Sequence, residues 1–344
     1  MMGDTIGSTR DTRKHAMELY RRSIVVDCHL DSVLDDGYIA KMLESGVTAV
    51  NLDGGDIGRI SEKRELIEGH PDELMGPVTT VREIRRAKEE GRIAVFLGAE
   101  NAEEVLESTE SSPNIGRLSS FRALGLRIVQ PCYNNRNIFA DGCSEKADGG
   151  LSNAGLELIG RMNELGLIVD CSHVGVRTTL DVCENADLVV STHSNARAVC
   201  DNPRNRTDEE IKALAEKGAV LGMVAFPTFV SWCDARRPTV GDLLDHINHI
   251  DHIVGVRHVG IGLDLVEGTG VLGPVTLGQG LTRWPELYGM PDADGFYRYV
   301  EGLESITGLR NLAVGLVERG YSDAEVAGVL GENWLQVFER AWGE

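Results

Sequence analysis

The chain has 344 residues, of which 42% are hydrophobic and 26% charged, and its 54 acidic and 34 basic side chains leave a formal net charge of −20. That balance argues against a nucleic-acid partner, because neutralising phosphates takes basic surface. The polar stretch from Met1 to Arg22 has no apolar signal core, and no later run of about 18 apolar residues would span a bilayer. With seven cysteines and no Cys-x-x-Cys pair, the expectation is a cytoplasmic protein with reduced thiols and no membrane partner.

In chain order, an amphipathic helix over about 10–22 leads into the apolar run Ile24-Val25-Val26-Asp27-Cys28-His29-Leu30-Asp31. On an extended strand, residues i and i+2 share a side, so His29 and Asp31 should project together from its end. A helical segment at 39–44 and a second strand at 46–51 follow, then a polar excursion. Helical spacing over 78–90 closes at Gly91, and a third strand, 93–98, ends at Glu100. A helix at 115–124 stops at Gly125, and a fourth strand, 126–130, ends near Tyr133. Helix 151–165, with Ser152 and Gly166 as caps, feeds a fifth strand at 167–170 that runs into His173. Helix 175–185, strand 188–192 ending at His193, helix 208–217, strand 219–226, helix 240–254 and strand 259–262 ending at Asp264 complete the alternation.

Eight strand signals alternating with helices, with no break in composition, predict a single α/β domain over 1–344. Its core is a (β/α)8 TIM barrel at about 24–265, followed by a long Gly- and Pro-bearing loop at about 266–296 and additional C-terminal helices at about 303–342. An open doubly wound sheet would have fewer units and a Gly-rich phosphate turn after its first strand, and neither is present.

In such a barrel the C-terminal strand ends share one face, which would gather His29, Asp31, Glu100, Tyr133, His173, His193 and Asp264 at one mouth. Taken singly, each residue has an ordinary reading. A histidine after an apolar run is commonly a core residue, and Glu100 could serve the first turn of a helix. Together, three histidines and three carboxylates would repel or go unsatisfied without cations between them. Two divalent metals resolve that and make a hydrolytic site, because a metal lowers the pKa of its water toward neutrality. His246, His249 and His252 recur at a spacing of three on helix 240–254, away from the mouth, and read as packing or surface residues.

These runs also resemble a known family. Asp27-Cys28-His29-Leu30-Asp31, Leu97-Gly98-Ala99-Glu100, Leu165 through His173, Ser191-Thr192-His193-Ser194, Arg204-Asn205, Gly260 through Asp264 and Gly331-Glu332-Asn333-Trp334-Leu335 are similar, in this order, to the membrane dipeptidase (renal dipeptidase) family of zinc metallopeptidases in the amidohydrolase superfamily. The resemblance implies a binuclear zinc hydrolase that cleaves the amide bond of dipeptides with a free C-terminal carboxylate, through a hydroxide that bridges the metals. It implies His29 and Asp31 as ligands of the first zinc, His173 and His193 as ligands of the second, and Glu100 as the bridge. No lysine ends the fourth strand, so a carbamylated-lysine bridge is not available. By the same resemblance, Arg204 would hold the substrate carboxylate and Asp264 would shuttle the proton. A homodimer would be compatible with it.

Two departures bear on the substrate. Where many relatives carry a histidine that contacts the substrate carbonyl, this chain has Tyr133, whose phenol can still donate to an oxyanion. The loop at 266–296, with Trp284 and Tyr288, is longer than the family norm. Both motivate an alternative: the same fold acting on a non-dipeptide amide, an N-acyl amino acid, a lactam or a lactone. A non-catalytic metal-binding descendant is the reading furthest from the residues, since the whole set is intact.

Overall fold

In a computed structural model, which describes residues 3–106, 113–231, 236–267, 283–289 and 298–343, the apolar runs become short parallel strands. They are β1 (Val26–Leu30), β2 (Ala49–Asp53), β3 (Ile93–Ala99), β4 (Leu126–Val129), β5 (Ile168–Asp170), β6 (Val189–Val190), β7 (Leu221–Met223) and β8 (Val259–Ile261). β1 to β6 hydrogen-bond in chain order, and β7 pairs with β8. Parallel bridges from Ser191 to Leu221 and from Leu30 to Leu265 join the two groups. The ring closes, and the expected barrel is present.

Strand alternation sorts the core into two layers. Val50, Leu52, Val95, Leu97, Val129, Val169 and Val189 join the large cluster formed with the surrounding helices. Their neighbours Ala49, Ala94, Phe96, Ile128, Ile168 and Val190 belong to a second cluster with Trp334 and Phe338 of the last helix, Asn333–Trp342. Trp334 is fully buried and its indole donates to the Ile261 carbonyl at 3.1 Å. Gly260 makes room for it, since a Cβ there would lie 2.3 Å from the indole nitrogen.

Several elements differ from expectation. The polar excursion is a helix, Ile57–Gly69, capped by Asp56, which accepts from Gly58 and Arg59 N–H. Only Ile60 and Ile67 on it are buried, too thin a stripe to register as helical periodicity. The helix expected from 303 forms only at Leu309–Glu318, after a 3-10 turn. The rest of the expected C-terminal helices is divided into Asp323–Ala327, a π turn at Gly328–Glu332, and Asn333–Trp342. Close packing accompanies the break: a Cβ on Gly331 would meet the Ile24 carbonyl at 2.6 Å. Most of the 266–296 loop lies outside the described residues, but Pro285–Tyr288 is a short helix within it. No helix among the described residues is long and apolar enough to cross a membrane.

β1 also departs from regular alternation. Its register against β2 shifts between Asp27 and Leu30, and the strand ends before Asp31. Asp31 thus follows the strand end, close enough for its charge to act on Glu100. Asp27 occupies the irregularity, where Oδ1 accepts from Leu263 N at 2.8 Å and ties β1 to the end of β8.

Candidate metal centre

Past the strand ends, three imidazoles meet one carboxylate. Glu100 Oε1 lies 3.4 Å from His29 Nε2, 3.3 Å from His173 Nε2 and 3.4 Å from His193 Nε2. The Nε2 atoms of His173 and His193 are 2.8 Å apart, and the His29 and His193 rings stack with centroids 3.9 Å apart. Burial, with the nearby Arg204 cation, lowers His29 to about 3 and holds His173 and His193 well below their ordinary value. Burial, then Asp31, Asp53 and Asp264, pushes Glu100 well up. Neutral imidazoles with lone pairs turned on a carboxylate that is itself crowded by carboxylates form a donor set that fits divalent cations. His29, Glu100 and His193 each bring a ligand atom within 4.8 Å of the others.

The surrounding residues decide which ring nitrogen faces inward. Asp170 Oδ1 accepts from Ser172 N, Ser172 Oγ and Thr192 N, and Oδ2 accepts from Thr192 Oγ1 at 2.6 Å. The threonine proton is thus committed, so its oxygen, 2.8 Å from His193 Nδ1, accepts from that nitrogen. Nε2 of His193 is left bare. This is a relayed form of the carboxylate–histidine support common around metal ligands. On the other side, Gln130 donates to the Glu100 carbonyl, and Glu100 N donates to Asp53 Oδ1 at 3.3 Å. Arg59 pairs with Asp53 at 3.0 Å.

Asp264 stands at the edge of the centre, with Oδ1 3.7 Å from His29 Nε2. It has a left-handed backbone (φ 56°), unusual for a residue other than glycine, and its N–H donates to the His29 carbonyl at 3.2 Å. Strain of this kind is sustained where the surroundings over-determine a side-chain direction. Burial raises its carboxyl to about 6. Asp31 is felt through its charge: burial, Asp264 and Asp53 push it up, and it lines a cavity of about 320 Å³ with Asp53, Arg59 and Lys63.

Arg204 is buried against the two far histidines. Nη2 lies 3.2 Å from His173 Nε2 and 3.2 Å from the His193 carbonyl, Nη1 donates to the Ser172 carbonyl, and the guanidinium sits 5.2 Å over the Phe229 ring. Among the described residues its Nε has no partner. Tyr133 stacks on His173 at 4.1 Å, meets the edge of Trp284 at 5.8 Å, and brings its hydroxyl 3.2 Å from that of Tyr288. Burial, with Tyr288 and Glu100 nearby, pushes the Tyr133 phenol up, so it stays protonated.

The centre thus brings together His29, Glu100, His173 and His193, with Asp264, Arg204 and Tyr133 around them. His246 and His249 lie elsewhere, as expected: His246 pins Ala196 N and the Val230 carbonyl, and His249 meets Asp208. Asp53, Asn134, Asp170 and Thr192 have roles here that the sequence does not mark, whereas Tyr288 belongs to the loop expected to bear on the substrate. One signal was there to use: Val26-Asp27-Cys28-His29 is echoed by Val169-Asp170-Cys171-Ser172-His173, an aspartate shortly before each histidine.

A family model described as membrane dipeptidase (peptidase family M19) matches residues 56–277 and 289–342, so β1, with His29 and Asp31, precedes the match. Dipeptidase verJ of Clonostachys rogersoniana is 29% identical over 280 residues, covering 80% of this chain and 62% of that protein. Dipeptidase aclJ of Aspergillus oryzae is 28% identical over 277 residues, covering 79% and 57% respectively. The chain therefore spans less than two thirds of the length of these curated relatives. Among solved structures, an amidohydrolase from Pseudomonas aeruginosa is 31% identical with a TM-score of 0.83, covering 96% of this chain and 99% of that one. A metallo peptidase from Rhodobacter sphaeroides, liganded with a phosphinate mimic of a dipeptide, shares the fold at 21% identity with a TM-score of 0.74, covering 93% and 100%. With a barrel whose strand ends carry this histidine and carboxylate set, and a family model matched along most of its length, the chain belongs to the membrane dipeptidase family.

Proposed function

We propose that the protein is a metal-dependent hydrolase that cleaves the amide bond of dipeptides bearing a free C-terminal carboxylate. The observation that carries this reading is the convergence of three neutral histidine Nε2 atoms on one oxygen of Glu100. Two zinc ions fit the proposal, with His29 and Asp31 holding the first, His173 and His193 the second, and Glu100 between them. Bound there, the ions would supply Lewis-acid polarisation of the scissile carbonyl and lower the pKa of a water molecule.

The chain's own residues do the rest. Asp264, partly buried at the edge of the centre and raised to about 6, suits a group that takes a proton from the attacking water and returns it to the leaving amine near neutral pH. Arg204 binds the substrate carboxylate through its remaining N–H, its other donors already fixed on the histidine loops. Tyr133, protonated and clamped between His173 and Trp284, donates to the carbonyl oxygen as negative charge develops there.

The test is metal analysis coupled to turnover of a panel: dipeptides of both configurations at the carboxyl end, N-acyl amino acids, lactams and lactones. About two zinc ions per chain with dipeptide hydrolysis is the expected result. A fully metallated protein that cleaves no dipeptide would overturn the substrate assignment, and turnover of the other classes would then support the alternative.

A further inference from the structure

Tyr133 does not stand alone at the centre. Asn134 is fully buried in a left-handed conformation (φ 56°), and its amide oxygen, which also accepts from the Cys143 thiol at 3.4 Å, and its amide nitrogen face different partners. Its Oδ1 lies 2.8 Å from His173 Nδ1, and its Nδ2 lies 3.1 Å from the Tyr288 hydroxyl. The Tyr288 hydroxyl in turn lies 3.2 Å from that of Tyr133. Four side chains from three separate stretches of sequence form one line of hydrogen bonds that starts at a ligand-type histidine and ends at the substrate face.

That line has a direction. A histidine that offers its Nε2 lone pair to a cation carries its proton on Nδ1. His173 Nδ1–H then donates to Asn134 Oδ1, which fixes the amide so that Nδ2–H donates to the Tyr288 oxygen. Among the described residues the Tyr288 hydroxyl has one other partner, Tyr133, and its proton goes there. The Tyr133 oxygen is thereby occupied, and its own O–H is released toward the mouth. Were the order reversed, Tyr133 would spend its proton on Tyr288 and meet a substrate carbonyl with a lone pair, which repels.

We propose that Asn134 and Tyr288 form a relay that holds the Tyr133 hydroxyl as a hydrogen-bond donor to the reacting carbonyl oxygen, with Tyr288 as a positioning residue acting through Tyr133. This inference rests on the hydrolytic reading above. Tyr288 is buried and its ring packs at 5.4 Å from both Phe226 and Phe229. The segment that carries it is docked by Asn202 Nδ2 and Thr228 Oγ1, both donating to the Leu287 carbonyl at 2.7 and 3.2 Å. Seating of residues 283–289 on these two side chains therefore completes the relay. Chains of this type strengthen bond by bond, so removing a middle member weakens the terminal donor.

The experiment measures the affinity of a phosphinate dipeptide mimic, whose tetrahedral oxygens stand in for the developing oxyanion, on zinc-loaded wild type, Tyr133→Phe, Tyr288→Phe and the double variant. Metal content is checked for each. Tyr288→Phe should bind the mimic about tenfold more weakly and lower kcat by a similar factor with KM nearly unchanged, the scale of one hydrogen bond. The double variant should be no weaker than Tyr133→Phe, because Tyr288 acts only through Tyr133. Asn134→Asp supplies an independent arm: a carboxylate there accepts from Tyr288, reverses the line, and should reproduce the Tyr133→Phe loss. Wild-type affinity in Tyr288→Phe or Asn134→Asp, or losses that multiply in the double variant, would overturn the relay. Binding is read apart from turnover, so a wild-type protein that hydrolyses no dipeptide would overturn the reaction assigned above, while the affinity ratios would still decide the relay.

Discussion

Asp264 combines three properties in one carboxylate: a left-handed backbone, partial burial, and a position 3.7 Å from a ligand-type histidine rather than within the ligand cluster. Its proposed work is proton transfer, so Asp264→Asn should leave metal content intact and lower kcat by about 10²–10⁴. Metal analysis beside steady-state kinetics checks this, and an active asparagine variant would remove Asp264 from the chemistry. Residues of this kind were legible in the sequence because each directly follows an apolar run, as His29, Glu100, His173 and His193 do. The bond that joins Asn134 to Tyr288 was not, because a contact between residues 154 positions apart leaves no periodic trace.

At the scale of elements, the approach to the second histidine pair depends on a buried ion pair. Arg206 and Glu210 are 1% and 0% exposed at 2.9 Å. Glu210 also closes the capping box with Thr207 that starts helix Asp208–Glu216, and Arg206 reaches the Cys171 and Val174 carbonyls that flank His173. Glu210→Ala would strand the Arg206 charge in the interior, a loss of about 3–5 kcal/mol in comparable pairs. Urea denaturation should show it as a lowered midpoint with an unchanged slope. The helix itself was expected from sequence within one residue of its end, because its caps and periodicity are local. The ion pair beneath it is not separable from an ordinary i, i+4 surface pair in sequence. The same contrast explains Ile57–Gly69, whose two buried residues are too few to mark a helix although its cap is well made.

For the molecule as a whole, the centre links metal uptake to protons. Without a cation, Glu100 is held up by burial and by Asp31, Asp53 and Asp264, and Asp31 by burial, Asp264 and Asp53, whereas His29, His173 and His193 are held down. The carboxyls therefore carry protons that a cation must displace, and the histidines carry none. Zinc affinity should fall as pH drops from about 8 to about 6, with more protons released per ion at the lower pH. Calorimetric titration of chelator-treated protein in two buffers of different ionisation heat measures this, and uptake without proton release would contradict the picture. Chelation should also lower the unfolding temperature, since ions bound only to the folded state stabilise it by mass action. The barrel was readable from sequence because eight apolar runs alternate with amphipathic helices. The divided last helix was not, because the π turn at Gly328–Glu332 follows from backbone packing against Ile24.

The Trp334 indole, seated on Gly260 and stacked on Phe338, which stacks in turn on Trp342, has one more consequence. It closes the barrel interior in one apolar cluster with Phe96, Ile128, Ile168 and Val190. The interior is filled by side chains, as barrel cores are, and offers a ligand no passage. Whatever reaches the metal centre therefore arrives and leaves over the loops that follow the strands.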